Sequence, residues 1–304
     1  MTMNRPTMPY FLVGLAAFSS CGSWSNRDLE FAAALPSRQE LRSKLPVTTS
    51  TSQGLSSRRD GLNVGDPSKA YADAQTATKT FNGILDFFLS ALDQVRQVAP
   101  SARTQDTRTW GPYTDQNNSG FSVQVKVQQL SAKDFSWVIQ AISSTNTIDV
   151  LTGSIEAAGS IKASKGTMTV HIASFRDQLQ IDDGLKKLDA ITIDYATQAY
   201  PLTVKMVFSD SSGPVVDYAY LENEDTSGQM TFLVTSTDPR ILKLGAVARW
   251  TAAGAGKTVS SVEEGTSQGF NVAECWDPSF KVTYYSESWA GGQTSGLATD
   301  CPTL

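Results

Sequence analysis

From Trp110 onward, apolar and polar residues alternate in one short run after another, and this period of two constrains the fold more than any other property of the chain. Phe121, Val123, Val125 and Val127 are interleaved with Ser122, Gln124, Lys126 and Gln128. Phe135, Trp137, Ile139 and Ala141 repeat the pattern, and so do Met168, Val170 and Ile172. Further runs hold Ile191, Ile193 and Tyr195, then Leu202, Val204, Met206 and Phe208 after Pro201. Val216, Tyr218 and Tyr220 follow, then Met230, Phe232 and Val234, with weaker runs at 244–251, 257–262, 270–275 and 280–286. Successive side chains of a strand point to opposite faces, so each run makes a strand with one wet and one apolar face. Strands this short, joined by polar turns, predict an antiparallel meander.

A sheet with one apolar face needs a second layer, and the chain supplies one upstream. Phe81, Ile84, Leu85, Phe88, Leu92 and Val95 recur every three or four residues, the spacing of a wide apolar stripe on a helix. Asp66 or Ser68 offers the capping oxygen, and Pro100 stops the helix. Asp86 and Asp93 read as its solvated side. The fold class expected is therefore α+β and β-rich: a curved antiparallel meander, half-barrel-like, wrapped around one long amphipathic helix over 68–99. Residues 48–67, rich in Ser, Thr and Gly and lacking periodicity, read as a flexible loop in which Arg58-Arg59 is solvated.

The N-terminus has the layout of an export signal. Arg5 is its only charge before Arg27, and the nine residues Tyr10 to Phe18 are followed by the small residues Ser19 and Ser20. A helix needs about 20 residues to cross a hydrocarbon core of ~30 Å, so this stretch targets rather than anchors. One reading is an ordinary secretory signal cut near Ser20 that leaves Cys21 unmodified. The other rests on a likeness: Phe18-Ser-Ser-Cys21 resembles the lipobox of bacterial lipoproteins, although that family has Leu, Val or Ile where Phe18 stands. The resemblance implies lipidation of Cys21 on its sulfur, acylation of its freed amine, and a place on a membrane outside the cytosol. Gly22, where that family uses Asp for retention, implies the outer membrane. Several acyl chains on one cysteine anchor firmly where a single chain binds only marginally.

Three cysteines would leave an exported chain with an odd thiol. Assigning Cys21 to lipid frees Cys275 and Cys301 to pair, which an oxidising envelope permits. Such a bridge stabilises by ~3–4 kcal/mol in the chain-entropy picture. Without residues 1–20, 24 basic groups face 30 acidic ones. That balance argues against a nucleic-acid partner and gives no polybasic attraction to anionic lipid.

Motifs for catalysis fail on context. Gly265-Thr-Ser267-Gln-Gly269 fits a nucleophile elbow, but the only histidine, His171, precedes it and no helix pattern follows. His171 itself reads as solvated on the polar side of a strand. Gly254-Ala-Gly256-Lys257-Thr258 echoes a phosphate loop but is followed by a strand pattern, not a helix. Asp115 to Gly120 starts like a calcium loop, yet its twelfth position is Lys126, where the closing Glu should stand. Glu222-Asn-Glu224-Asp225 reads as a solvated turn. One histidine leaves too few ligands for zinc, so no cofactor or metal is expected.

The order of lipobox, polar loop, amphipathic helix, Arg108-Thr-Trp-Gly-Pro112 and meander is similar to lipoproteins that myxobacteria and their relatives encode in number. A sheet cupping a helix also resembles, in architecture alone, the half-barrel of the Lol carriers; a fold does not bring a function with it. The organisation expected is a leader at 1–20, a lipidated N-terminus and flexible tether at 21–67, and a single β-rich domain at 68–304. Two roles follow as expectations, with a hydrolase ranked third. One is a non-catalytic envelope protein, a scaffold or a partner-binding module, that sits on a membrane through its lipid and meets another envelope protein through its surface. The other is a carrier, with Phe135, Trp137, Val204 and Tyr218 lining the concave side of the sheet around an apolar ligand.

Overall fold

The structure is a computed structural model that describes residues 24–47, 62–115, 118, 120–157, 164–179 and 183–304. The leader, Cys21 and Arg58-Arg59 lie outside the described residues. Three helices come first: α1 (Asn26–Ala33), α2 (Arg38–Leu41) and the long α3 (Lys69–Val95). The strands that follow are β1 (Ala102–Arg103), β2 (Thr107–Thr114), β3 (Ser122–Gln129), β4 (Asp134–Ile142), β5 (Thr147–Ala157) and β6 (Ser164–Val170). A short α4 (Ile172–Phe175) precedes β7 (Ala190–Ala196), β8 (Leu202–Asp210), β9 (Gly213–Glu222) and β10 (Gly228–Thr235). The last strands are β11 (Lys243–Trp250), β12 (Gly256–Glu264), β13 (Asn271–Trp276), β14 (Val282–Glu287) and β15 (Thr294–Gly296). Among the described residues the fifteen strands are hydrogen-bonded neighbours in chain order, an open antiparallel meander without a crossover.

Where a single domain was expected, the chain divides into two compact units. The first holds residues up to Arg42 together with 83–199 and 206–213; the second holds 43–82, 200–205 and 214–304. Helix α3 gives its C-terminal half to the first and its N-terminal half to the second.

In the first unit the alternation predicts burial for all but Phe121, which is half-buried at the edge of its run. Val123, Val125, Val127, Phe135, Trp137, Ile139, Ala141, Met168, Val170, Ile191, Ile193 and Tyr195 are all buried. Ile84, Leu85, Phe88, Leu92 and Val95 of the α3 stripe are buried as well, and Phe88 lies beside Val123, Ile139 and Leu151. Burial of each large side chain contributes about 1.5–3 kcal/mol. Trp137 lies directly across from Gly153, and a Cβ on that glycine would sit 2.3 Å from the indole ring. Strand β5 escaped the periodicity because Leu151 faces Ile139 while Asp149 faces Gln140, leaving Val150 as an extra residue. The bulge changes the phase of the alternation in mid-strand.

Residues 24–42, within the bounds given to the tether, carry α1 and α2, with Phe31, Leu35 and Leu41 buried. Two expectations fail here. Asp86 and Asp93 are not simply solvated: Arg42 pairs with the first, and Arg38 and Arg96 with the second. His171 is half-buried at the start of α4, with Nε2 2.8 Å from the Thr152 hydroxyl, rather than facing water from a strand.

In the second unit the register builds rows across five strands. One row is Glu222, Gly228, Trp250, Gly256 and Trp276; the next is Tyr220, Met230, Ala248, Thr258 and Glu274; the third is Tyr218, Phe232, Ala246, Ser260 and Val272. The N-terminal half of α3 crosses them diagonally. Tyr71 stacks on Phe280 at 3.8 Å and approaches Trp276, Thr78 touches Met230, and Phe81 stacks on Tyr218 at 4.1 Å. Ser68 is the cap, accepting from the Tyr71 N–H at 3.0 Å, and Glu274 extends it by accepting from the Ser68 hydroxyl and the Ala70 N–H. Asp66 instead holds the preceding turn, accepting from the Asn63 N–H. Glu222 corrects the reading of its turn as solvated: it is buried and accepts from the Tyr220 hydroxyl at 2.7 Å. Cys275 and Cys301 form a disulfide with Cα atoms 5.3 Å apart, fixing the Gly- and Thr-rich C-terminal stretch to β13.

Candidate functional site

The four residues expected to line a ligand site are packed into cores. Phe135, 4% exposed, meets the Phe31 ring edge-on at 5.5 Å. Trp137 fills the space above Gly153. Val204 is buried. Tyr218, fully buried, lies between Phe81 and Phe232 and donates its hydroxyl proton to Ser43 Oγ. Burial pushes its phenol well above the ordinary tyrosine range, against the opposing effect of that hydrogen bond, so it stays neutral.

A recess does exist in the first unit, but other residues form it. Phe87, Phe88 and Ala91 of α3 face Val123, Ile139 and Leu151, with Phe175 and Leu179 beside them. Its volume is about 30 Å³, room for about two water molecules rather than for a ligand of drug size. Among the described residues no group of three or more His, Cys, Asp or Glu is placed to hold a metal ion. Ser267 and its glycines form a turn in which Ser267 N–H donates to the Arg240 carbonyl, without a following helix. Gly254 turns the β11–β12 hairpin and accepts from the Trp276 indole N–H at 3.0 Å. Asp115 is buried and accepts from the Asn118 backbone and side-chain amides; Gln116, Asn117 and Ser119 of that turn lie outside the described residues.

Within the first unit, a buried polar cluster ties α1 to β1 and β2. Ser25 caps α1 through a reciprocal box: its hydroxyl accepts from the Asp28 N–H, and Asp28 accepts from the Ser25 N–H. Asp28 is completely buried, and Arg108 donates to it through Nε at 2.5 Å, with its own side chain 5% exposed. Arg103 donates to both carboxylate oxygens at 3.1 and 3.2 Å. Arg108 also donates to the carbonyls of Thr104 and Thr107, and its guanidinium carbon stands 4.5 Å from the centre of the Phe31 ring. Burial by itself would raise the Asp28 pKa. The hydrogen bonds from Ser25, Arg108 and Arg103 more than offset it and hold the carboxyl far below the usual range. Further along, Arg38 reaches Asp93 and Arg96 donates to the Leu35 carbonyl.

Sequence reasoning passed over this cluster. Arg108 was noticed for the Trp-Gly-Pro piece beside it, and Ser25-x-x-Asp28 was the readable signal of a helix start. In that piece Trp110 is buried and donates its indole proton to the Val98 carbonyl at 2.9 Å. Gly111, at φ 92°, bends the strand where a Cβ would meet the Val123 carbonyl at 2.5 Å.

No family model matches the chain, and neither a curated protein nor a solved structure matches it significantly.

Proposed function

We propose that the protein is a non-catalytic lipoprotein of the bacterial cell envelope, held on the outer membrane by lipid on Cys21, whose β-rich body binds another envelope component. The observation that carries this reading is the Cys275–Cys301 disulfide. It suits an oxidising compartment and leaves Cys21, at the end of an export-type leader, as the one cysteine outside a bridge. The half-barrel form, with the sheet curved around α3, belongs to the same reading; in each unit the helix lies against buried rows of the sheet. Likeness to the myxobacterial lipoproteins is part of this proposal.

Detergent-phase partitioning with intact mass tests it. Protein from the membrane fraction should enter the detergent phase and carry the mass of a diacylglyceryl group and an amide-linked acyl chain on a chain starting at Cys21. Cys21→Ser should appear unlipidated in the aqueous phase. A wild-type chain with a free, unmodified Cys21 would end the reading. The alternative, a carrier of an apolar ligand, needs the recess beside Phe87 and Phe88 to widen well beyond 30 Å³. Native mass spectrometry separates the two: a co-purifying lipid supports the carrier, a bare lipoprotein the partner-binding role.

A further inference from the structure

We infer that one end of the first unit, formed by the start of α1 and the turn between β3 and β4, rests directly on the bilayer surface. The inference depends on lipidation of Cys21, as proposed above, and adds the orientation of the body.

The argument starts from where the fold begins. Ser25 is the cap of α1, and Asp28, three residues later, is buried under Arg103 and Arg108. The chain is therefore fixed to the unit from Ser25 onward. Four Cα steps separate Cys21 from Ser25, and four extended residues reach at most about 14 Å. A flexible tether over 21–67 would instead have given a mean reach of roughly 38 Å. The polar headgroup layer on each side of a bilayer is itself about 5–8 Å deep. A glyceride on Cys21 thus brings α1 to within about one helix diameter of the headgroups.

The residues at that end suit such a surface. Arg27 of α1 donates to the Gln129 side chain at 3.3 Å, which sets the end of β3 beside the start of the helix. The Gln129 N–H donates to the Asp106 carbonyl, adding the β1–β2 turn to the same end. Leu130 follows, 61% exposed at the head of its turn, and Leu29 on α1 is 50% exposed. Lys133 in the turn and Arg27 on the helix are exposed cations of the same two segments, which also carry the exposed carboxylates Glu30 and Asp134. Exposed apolar side chains accompanied by Lys and Arg are the composition of an interfacial contact. The occupant is a lipid surface because a lipid on Cys21 places one within reach.

The test uses full-length lipidated protein in vesicles of phosphatidylethanolamine with a minority of phosphatidylglycerol, the native disulfide kept intact. A fluorophore is attached at Ala132→Cys in the β3–β4 turn or at Thr145→Cys in the β4–β5 turn, both exposed positions. The two turns stand at opposite ends of β4, nine residues long, and so about 30 Å apart. With nitroxide-bearing lipid as quencher, position 132 should be quenched about threefold or more over position 145. Equal quenching at the two positions, or stronger quenching at 145, on protein whose mass confirms the lipid would overturn this orientation and leave lipidation standing. Protein of unlipidated mass that stays in water would overturn both.

Discussion

Asp28 and Arg108 form an ion pair from which water is excluded, one side chain fully buried and the other 5% exposed. Breaking a buried pair from one side strands the other charge. Asp28→Asn should therefore destabilise the first unit by about 3–5 kcal/mol. Urea denaturation followed by α1-proximal fluorescence should show a lower midpoint at unchanged slope. A loss below about 1 kcal/mol would mean that Arg108 finds compensation in the Thr104 and Thr107 carbonyls.

The same residue sets an acid limb. A carboxyl whose folded pKa lies below its ordinary value of 3.8 adds stability above that value and loses it as pH falls toward the folded pKa. Wild-type protein should lose stability steeply below about pH 4, and Asp28→Asn should lose less over the same range. Midpoints of thermal unfolding at a series of acid pH values would measure the difference.

Glu274 has the opposite sign. Burial raises its pKa above the ordinary 4.5, although Ser68, Ala70 and Lys69 pull it back. A raised carboxyl pKa contributes stability at low pH that is lost as pH climbs through it. Relative to Glu274→Gln, the wild type should be favoured most at pH 4 and progressively less toward neutrality. Melting temperatures of the pair at pH 4 and pH 7 decide this; a constant difference would show that Glu274 titrates as it does when unfolded.

Trp276 occupies the space above Gly256, where a Cβ would lie 2.2 Å from the indole. The neighbour is a rigid ring whose N–H is committed to the Gly254 carbonyl. Gly256→Ala should cost about 1–3 kcal/mol by overpacking, and Gly153→Ala under Trp137 should behave alike. Gly269→Ala, with nothing within 4 Å of the new atom but a φ of 87°, separates strain from crowding. Urea midpoints for the three variants give the comparison.

The disulfide closes a loop of 26 residues, worth about 3.5 kcal/mol in the chain-entropy picture. Cys275→Ser with Cys301→Ser should lower the stability of the second unit by that order. Protease cleavage between Gly291 and Leu304 should quicken in the double variant, a change that mass mapping would detect.

Runs with unbroken alternation gave their strands away in the sequence, and the register turned them into rows. What stayed hidden has local causes. Strand β5 is interrupted by the extra residue Val150, and β2 loses its register between Trp110 and Tyr113. Helix α1 carries a carboxylate, Asp28, in the middle of its buried side, which breaks the apolar stripe that Phe31 and Ala32 would otherwise extend. The candidate site was harder still. Phe135, Trp137, Val204 and Tyr218 were chosen for lying on an apolar face, but the same periodicity marks a residue that packs and one that would line a cavity. The distances to Phe31, Gly153 and Phe81 show Phe135, Trp137 and Tyr218 packed, and Val204 is buried.

Each strand borders the one made just before it and the one made just after. A polypeptide delivered amino end first, through a ribosome or a translocation pore, would therefore add every new hairpin to a growing margin already in place. No later segment has to thread between earlier ones. Helix α3 precedes all the strands, so its apolar stripe is already made when the first of them emerges.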